Sequence, residues 1–327
     1  MKINEELLPW EAREQNILVK DEKASKREKK TRSMQELLDY GIININKPAG
    51  PTSHQVADMV KKITGSSKAG HSGTLDPKVT GALPIALEKA TRIVQTLLPA
   101  GKEYVAMMRL HSDVSQKKIE AVFKKFQGKI SQLPPVRSAV KRQVRERKIY
   151  YLTLMEMKEK VVLFRVGCQG GTYIRKLIHD MGKELNTGAH MAQLVRTKAG
   201  PFTEQSMCSL QDLKDAMVLW KEKDDETLLR KYVQPYETAV QYTPKVWVFD
   251  SAVQSICHGA PLGVAGIATL TDDIEKGMLV AVMTSGDELI CLGKAVCSSK
   301  AIKKQSDGLA VKTEKVFMER SPQTIKE

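Results

Sequence analysis

The residues with the clearest chemical potential lie in a polar loop at residues 70–81, which includes Asp76. Asp76 precedes Pro77, and a residue before proline is kept out of helical geometry. Glycines at both ends of the loop allow another backbone to approach it closely. A carboxylate held in this way can act as a nucleophile. Taken alone, however, Asp76 fits a turn residue better than a catalyst.

Two more side chains, Tyr104 and Arg175, have a possible role beside such a carboxylate. Tyr104 begins an alternating segment, residues 104–110, that predicts a strand. Arg175 falls in the first turn of a predicted helix at 172–185, next to its apolar face rather than on it. From the residues alone, however, Tyr104 fits a core residue of its strand better, and Arg175 fits a cation on a helix surface better.

The charge of the chain favours a polyanionic partner. The formal net charge is +14 over 327 residues, which is typical of proteins that bind nucleic acid. Residues 137–148 carry six basic side chains and one acidic side chain, between a predicted helix and predicted strands. A basic loop beside a sheet suits contact with a phosphate backbone. The alternative for this run, as for the charged run at 20–32, is a solvated surface segment.

Other classes of protein are disfavoured. No apolar run approaches the roughly 18 residues of a membrane span, and the N-terminus has no apolar segment typical of a secretory signal. The cysteines are scattered, without metal-ligand spacing, as Cys168, Cys208, Cys257, Cys291 and Cys297. They are interpreted as reduced thiols of a cytoplasmic protein, and no metal site is indicated.

Hydrophobic patterning predicts mixed helices and strands, followed by a region of strands. Strands are predicted at 41–46, 83–87, 104–110, 149–157 and 161–167, and helices at 53–65, 90–98, 119–126, 172–185, 210–221 and 225–233. In the first of these helices Ser53 is the expected cap, with Val56, Met59, Val60 and Ile63 on one face. From about Val246, short apolar runs separated by turn residues predict a small β-barrel.

Five motifs, in order and in register, resemble the TruB-type pseudouridine synthases. They are Lys47-Pro48-Ala49-Gly50-Pro51-Thr52-Ser53-His54, the loop at 70–81, Ala90-Thr91-Arg92, Lys102-Glu103-Tyr104 and Gly171-Thr172-Tyr173-Ile174-Arg175. Asp76-Pro77-Lys78-Val79-Thr80-Gly81 and the run from Pro134 to Arg142 resemble the dyskerin branch, the RNA-guided form. The stretch Ile256-Cys257-His258-Gly259-Ala260 resembles a PUA domain, a small RNA-binding barrel.

The resemblance implies an α+β fold and four segments. A catalytic domain at 37–242 would contain a mixed, mostly antiparallel central sheet flanked by helices. A barrel-shaped PUA domain would occupy 243–320, a basic extension 1–36, and a tail 321–327. The absence of long lysine-rich tails favours an archaeal protein within this family.

The resemblance also implies roles for single residues. Asp76 would attack or stabilise ribose C1′ while uracil is detached, turned and rejoined through C5. Arg175 would keep Asp76 ionised and oriented, and Tyr104 would stack on the uracil and take the C5 proton. Substrate contacts would come from three residues: His71, which helps to hold the distorted RNA strand, Leu177 and Lys47. RNA contacts would come from Arg137, Lys141, Arg142, Arg145, His258, Gly259, Ala260 and Lys276. No cofactor or metal is expected.

The partners implied are an H/ACA guide RNA, substrate rRNA or tRNA, and small protein subunits. Those subunits would be a zinc-ribbon-like protein, a glycine-arginine-rich-type protein and a kink-turn-binding ribosomal-type protein; no membrane is expected. Two alternatives stay open beside the guided enzyme. One is a stand-alone pseudouridine synthase acting on the tRNA T-loop, and the other is a non-catalytic RNA-binding scaffold.

Overall fold

The computed structural model describes residues 7–21, 31–134 and 143–319. These residues form two compact units. The large unit contains residues 7–11, 34–134 and 143–239, and the small unit contains residues 12–21, 31–33 and 240–319. Among the described residues, no helix is both long enough and apolar enough to cross a membrane.

The large unit contains both strands and helices, whereas strands predominate in the small unit. The strands are β1 (Ile17–Val19), β2 (Gly41–Lys47), β3 (Ala69–His71), β4 (Thr80–Leu87), β5 (Lys102–Leu110), β6 (Gly128–Gln132), β7 (Arg145–Lys158), β8 (Val161–Cys168), β9 (Ala189–Ala199), β10 (Phe202–Thr203), β11 (Met207–Cys208), β12 (Val233–Pro235), β13 (Lys245–Val248), β14 (Leu262–Gly263), β15 (Ile267–Thr271), β16 (Leu279–Met283), β17 (Leu289–Ala295) and β18 (Leu309–Val316). The helices are α1 (Met34–Asp39), α2 (Ser53–Thr64), α3 (Val94–Leu97), α4 (Gln116–Phe126), α5 (Ile174–Glu184), α6 (Leu210–Lys223), α7 (Thr227–Tyr232), α8 (Asp250–Cys257) and α9 (Ser299–Lys304).

The large unit is built on a mixed sheet of order β11-β2-β4-β9-β5-β8-β7-β6. Strand β9 lies parallel to β4 and antiparallel to β5, and the pairs from β5 out to β6 are antiparallel. Apolar residues of the sheet and of α2, α4 and α5 form one core, which includes Ile45, Val56, Phe164 and Leu177. The predicted α+β class with a mostly antiparallel sheet is confirmed.

Helix α2 follows the predicted span but begins differently. Its cap is Thr52, whose side chain accepts from the Gln55 N–H, while the Gln55 side chain accepts from the Thr52 N–H. This reciprocal arrangement satisfies two N–H groups that a helix start leaves unpaired. The expectation that Ser53 is the cap is therefore wrong. Met59 was expected on the buried face but is exposed, because it lies at the edge of the stripe formed by Val56 and Val60.

The predicted helix at 90–98 is only partly α-helical. A 3-10 helix covers Glu88–Ile93, and the α-helical turn α3 follows it. The predicted loop at 70–81 is shorter than expected, because β3 ends at His71 and β4 begins at Thr80. The residues between these strands, 72–79, form the loop that carries Asp76; we call it the Asp76 loop.

The small unit contains a sheet of order β1-β15-β13-β16-β17-β18-β14. Its strands surround an apolar core that includes Val248, Ile256, Leu270 and Val282. The strands predicted from Val246 onward are present as β13 and β15 to β17. Strand β1, which pairs antiparallel with β15, was not predicted.

Candidate active site

The Asp76 loop is fixed through the neighbours of Asp76. The Ser53 hydroxyl accepts from the Leu75 N–H at 2.8 Å and lies 3.1 Å from the Leu75 carbonyl, to which it donates. On the other side, the Pro77 carbonyl accepts from the Gly50 N–H at 2.9 Å. Because backbone groups on both sides of Asp76 are bonded, its carboxylate projects from a defined position.

Lys47 holds the Asp76 loop through hydrogen bonds to backbone carbonyls. Its buried ammonium donates to the carbonyls of Pro48, Pro77 and Val79 at 2.8, 3.0 and 3.0 Å. Burial lowers the pKa of Lys47, and the nearby Arg196 charge lowers it further, while Asp76 opposes the change. The ammonium therefore binds two carbonyls of the Asp76 loop and one carbonyl next to β2, and the substrate contact expected of Lys47 stays a prediction.

Arg175 meets Asp76 as the resemblance implies. Its guanidinium donates to the Asp76 carboxylate, and both side chains are more than half exposed, at 63% and 52%. A charge-assisted bond of this kind orients the carboxylate. The exposure leaves the carboxylate accessible from solvent, with a cation fixed beside it.

The start of α5 is fixed by a buried glutamine. The Gln132 side chain accepts from the Tyr173 N–H at 2.9 Å and donates to the Tyr173 carbonyl at 3.1 Å. Tyr173 is the residue that caps α5, and its own side chain makes no capping bond. Arg147 adds a bond to the Gly171 carbonyl at 3.2 Å. Gln132 therefore helps to hold the turn that presents Arg175.

Tyr104 lies buried beside an arginine that the sequence analysis missed. Arg196 of β9 is 1% exposed, and its guanidinium donates to the carbonyls of Ala82 at 2.6 Å and Gly73 at 3.2 Å. Burial raises the pKa of Tyr104, and the neighbouring Arg196 charge opposes part of that rise. Tyr104 is therefore a neutral phenol near neutral pH.

Gly81 makes room for this arrangement. Its φ of +102° is unfavourable for other residues, and an added Cβ would lie 2.2 Å from the Arg196 carbonyl oxygen. The strand β9 reaches the Asp76 loop because Gly81 permits close approach. A basic residue after the apolar pair Leu194 and Val195 was the available sequence signal for Arg196.

His71 stands at the end of β3 against a second histidine. Its ring packs edge-to-face on His54 with centroids 4.6 Å apart, and its Nδ1 lies 3.4 Å from the Gly73 N–H. Burial lowers the pKa of His71, as do the charges of His54 and Arg196. Leu177, the other residue expected beside uracil, is completely buried in the core under α5. The substrate roles of both stay predictions.

The residues expected to contact RNA fall in different places. Arg137, Lys141 and Arg142 lie outside the described residues, and Arg145 begins β7 opposite Gln132. In the small unit, His258 ends α8, Gly259 has a φ of +88°, and the Ala260 carbonyl accepts from Thr313 at 2.7 Å. Lys276 lies in the turn before β16, next to Gly277 with a φ of +89°.

The site therefore combines an exposed, arginine-held carboxylate with a buried phenol and a second, buried arginine. A carboxylate of this kind can stabilise positive charge at a sugar carbon or attack it. The phenol can accept or release a proton next to a fixed cation.

Comparison with known proteins finds matching families along almost the whole chain. Family models match in succession: the DKCLD (NUC011) domain at 9–57, the N-terminal domain of TruB family pseudouridylate synthase at 61–174, the C-terminal domain of tRNA pseudouridylate synthase B at 175–241, and the PUA domain at 244–317.

Two curated relatives illustrate the similarity in sequence. The chain is 54% identical over 310 residues to a probable tRNA pseudouridine synthase B of Thermococcus gammatolerans, covering 93% of each chain. It is 53% identical over 288 residues to a protein of the same name from Methanopyrus kandleri, covering 88% of this chain and 85% of that one.

The structural matches are equally extensive. A chain in the crystal structure of a Cbf5-Nop10-Gar1 complex matches with a TM-score of 0.90 and 52% identity, over 96% of this chain and 97% of that one. A chain in an H/ACA RNP bound to a substrate RNA containing 2′-deoxyuridine matches with a TM-score of 0.89 and 49% identity, over 96% and 98%. The chain therefore belongs to the TruB family of pseudouridylate synthases and carries a PUA domain after its catalytic domain.

Proposed function

We propose that this chain isomerises specific uridines of rRNA, and of tRNA as a further substrate, as the catalytic subunit of an H/ACA guide ribonucleoprotein. The observation that carries the chemistry is the Asp76–Arg175 pair beside Tyr104. What supports guidance by RNA is the similarity, over 96% of the chain, to a chain of an H/ACA RNP bound to substrate RNA.

The proposed mechanism uses the three residues in turn. The bond between uracil N1 and ribose C1′ breaks, and Asp76 either bonds to C1′ or stabilises the charge that develops there. The uracil turns and joins C1′ through C5. Tyr104 gives its phenol proton to N1, directly or through water, and takes the C5 proton in its place, so one proton moves from C5 to N1 and the product is an isomer of the substrate.

A paired uridine must leave its stack before this chemistry can begin. Extrusion costs a few kcal/mol of unpairing and unstacking. His71, at the end of β3 and beside the Asp76 loop, would occupy the space of the extruded base. Leu177 would form the wall of the uracil pocket. Both assignments belong to the proposal.

Asp76→Asn tests the catalytic part of the proposal. An amide keeps the shape of the side chain but cannot attack C1′ or balance positive charge, so single-turnover conversion should fall by about a thousandfold or more. The RNA dissociation constant should change little. Asp113→Asn, at an exposed carboxylate of the same unit, is the matched control. Conversion by Asp76→Asn within tenfold of the parent would overturn the assignment.

A stand-alone tRNA enzyme is the second candidate, because the curated relatives carry the name of a tRNA pseudouridine synthase. Conversion is compared for the chain alone on tRNA and for the chain with guide RNA and partner proteins on an rRNA fragment. If the chain is a guided enzyme, conversion of the rRNA fragment should be faster and should fail when the guide RNA is omitted. A chain that acts only on tRNA would favour the alternative. A scaffold would convert neither RNA.

We infer further that small protein subunits assemble with the chain. Similarity to a chain from a Cbf5-Nop10-Gar1 complex supports this inference. The expected subunits are the zinc-ribbon-like, glycine-arginine-rich-type and kink-turn-binding proteins. A cytoplasmic location is part of the proposal, supported by five cysteines that are all free thiols.

The domain boundaries at 37–242 and 243–320 are also proposed. The family models support them, since one ends at residue 241 and the PUA model begins at 244. The predicted extension at 1–36 includes β1, which pairs with a strand of the small unit. We therefore propose that the PUA domain includes this strand as well.

A further inference from the structure

A β-bulge lies between the strands that carry Tyr104 and Arg196. Strands β5 and β9 pair so that Glu103 faces Lys198, but Tyr104 faces Arg196. Thr197 is therefore an extra residue on β9, without a partner position of its own in this ladder. In a regular antiparallel ladder, Tyr104 would face Thr197. The bulge thus sets Arg196, rather than a threonine, opposite Tyr104.

The extra residue, Thr197, is held by a hydrogen bond to Glu103 on the opposite face of the sheet from Tyr104. Successive side chains of a strand point to opposite faces, so Glu103 points away from the face of Tyr104. The buried Glu103 carboxylate accepts from the Thr197 hydroxyl at 2.7 Å. This bond joins the extra residue of β9 to the residue that precedes Tyr104 on β5.

The carboxylate is itself held by further donors. It accepts from the Tyr151 hydroxyl at 2.5 Å, and an Arg165 guanidinium nitrogen lies 3.7 Å away. Burial and the Glu103 contact raise the pKa of Tyr151, so that hydroxyl keeps its proton. The Glu103 side chain is 2% exposed, and a buried charge must be paired to be tolerated. Glu103 is therefore a fixed acceptor for Thr197.

We propose that Glu103 and Thr197 are positioning residues for the isomerisation, because their hydrogen bond holds the bulge that places Arg196 beside Tyr104. Neither residue touches the RNA in this assignment. The inference rests on the proposed role of Tyr104, so the parent's own conversion of uridine, measured in the same assay, tests the proposed function separately.

A series of substitutions at Thr197 separates the hydroxyl from the volume of the side chain. Thr197→Ser keeps the hydroxyl, Thr197→Val keeps the shape, and Thr197→Ala keeps neither. We measure single-turnover conversion at saturating RNA, the RNA dissociation constant, and the folded fraction by circular dichroism. Misplacement of a catalytic group by about 1 Å can cost a hundredfold in rate.

The expected result is a rate that follows the hydroxyl. Thr197→Ser should convert within about threefold of the parent. Thr197→Val and Thr197→Ala should be slower by about ten- to a hundredfold per folded molecule. The RNA dissociation constant should stay within about twofold, because the groups that contact phosphates are unchanged.

Tyr151→Phe is the matched control. It removes a hydrogen bond to the same carboxylate but leaves the bond to Thr197. Arg165 and Thr197 still hold the carboxylate in this variant, so the melting temperature should fall while the rate stays within about threefold of the parent.

Three results would overturn the proposal. One is a rate that follows side-chain volume, with Thr197→Val close to the parent and Thr197→Ser slow. A second is a loss of rate fully explained by loss of folded protein. The third is an equal loss of rate in Tyr151→Phe and Thr197→Val, because the carboxylate network and not the bulge would then be responsible.

Discussion

The backbone around Asp76 is held by buried groups that bind the neighbouring residues, whereas its carboxylate has an exposed partner. Ser53 binds the residue before Asp76, and Lys47 binds the carbonyls of the residues at 77 and 79. The partner of the carboxylate, by contrast, is the exposed Arg175. A change to either charged side chain should therefore alter chemistry more than folding.

Arg175→Ala is the sharpest test of that separation. An exposed ion pair contributes about 0–1 kcal/mol to folding, so the melting temperature should fall little. The rate of conversion should fall by about a hundredfold or more, because the carboxylate loses the donor that orients it. Both quantities are measured on the same preparation.

Lys176→Ala provides the control, since it removes the adjacent cation of α5, which pairs with Asp180. That variant should convert RNA at close to the parental rate. Unfolding of Arg175→Ala at the assay temperature would show that the arginine is structural and would contradict its pairing role.

Among single residues, motifs pointed to residues that the structure brings together, whereas a residue held only by tertiary contacts was missed. Asp76, Tyr104 and Arg175 were found because each belongs to a motif of the family. Arg196 was missed, because its charge is satisfied by carbonyls that come from distant parts of the chain. A fully buried arginine also contradicts the usual expectation for charged residues.

At the scale of the elements, the start of α5 depends on a side chain from another strand. Gln132, the last residue of β6, makes two hydrogen bonds with the backbone of Tyr173. Since Tyr173 has no side-chain cap of its own, α5 takes this support from outside. The sheet therefore helps to set where the helix presents Arg175.

Gln132→Ala should accordingly impair both folding and chemistry. The part-buried Tyr173 N–H loses its partner, which costs about 1–3 kcal/mol at most, while the Tyr173 carbonyl still accepts from the Leu177 N–H at 3.0 Å. Conversion per folded molecule should fall by about tenfold, because the first turn of α5 loses its fixed position. Chemical denaturation and single-turnover kinetics check the two effects.

Gln127→Ala is the comparison variant, because it removes an exposed glutamine that donates to the Tyr150 carbonyl. It should leave the rate within about twofold of the parent. If Gln132→Ala loses stability but converts RNA at the parental rate, the link from β6 to Arg175 is refuted.

The predictability of the elements varied with their own residue patterns. Helix α5 and strands β2 and β5 were predicted because their apolar residues recur with helical or strand spacing. Strand β9 was missed, although it lies at the centre of the large sheet. It has a bulge at Thr197 and a buried arginine, so its side chains do not alternate between apolar and polar.

The short strands were missed for a different reason. Strands β10 and β11 contain two residues each, and β3 contains three. Segments of this length carry no periodicity of their own, and their pairing is decided by the neighbouring strands. The 3-10 geometry of Glu88–Ile93 is likewise set by packing, since its apolar spacing fits an α-helix equally well.

At the scale of the whole molecule, the net charge of +14 and the PUA domain both favour RNA, but they need not serve the same RNA. We expect the small unit to bind guide RNA and the Asp76 site to bind substrate. A full-length chain with His258→Ala and Lys276→Glu should lose about tenfold or more of guided conversion. Guide-independent conversion of tRNA should change by less than about threefold.

The same charge change in the large unit, Lys214→Glu on the exposed side of α6, is the control. It should affect the two reactions to the same small extent. Equal losses on guided and unguided substrates in the small-unit variant would mean that the PUA domain supplies general affinity and not guide anchoring.

The position of β1 has a consequence for folding during translation. Val19 and Ile17 pair with Thr269 and Thr271, which the ribosome makes only after the whole of the main segment of the large unit. Asn16 and Asp272, hydrogen-bonded through both backbone and side chain, are 256 residues apart. The large unit can complete its sheet during translation, since domains fold as units while the chain grows. The small unit cannot do so at that stage, because β1 stays unpaired until β15 has been made.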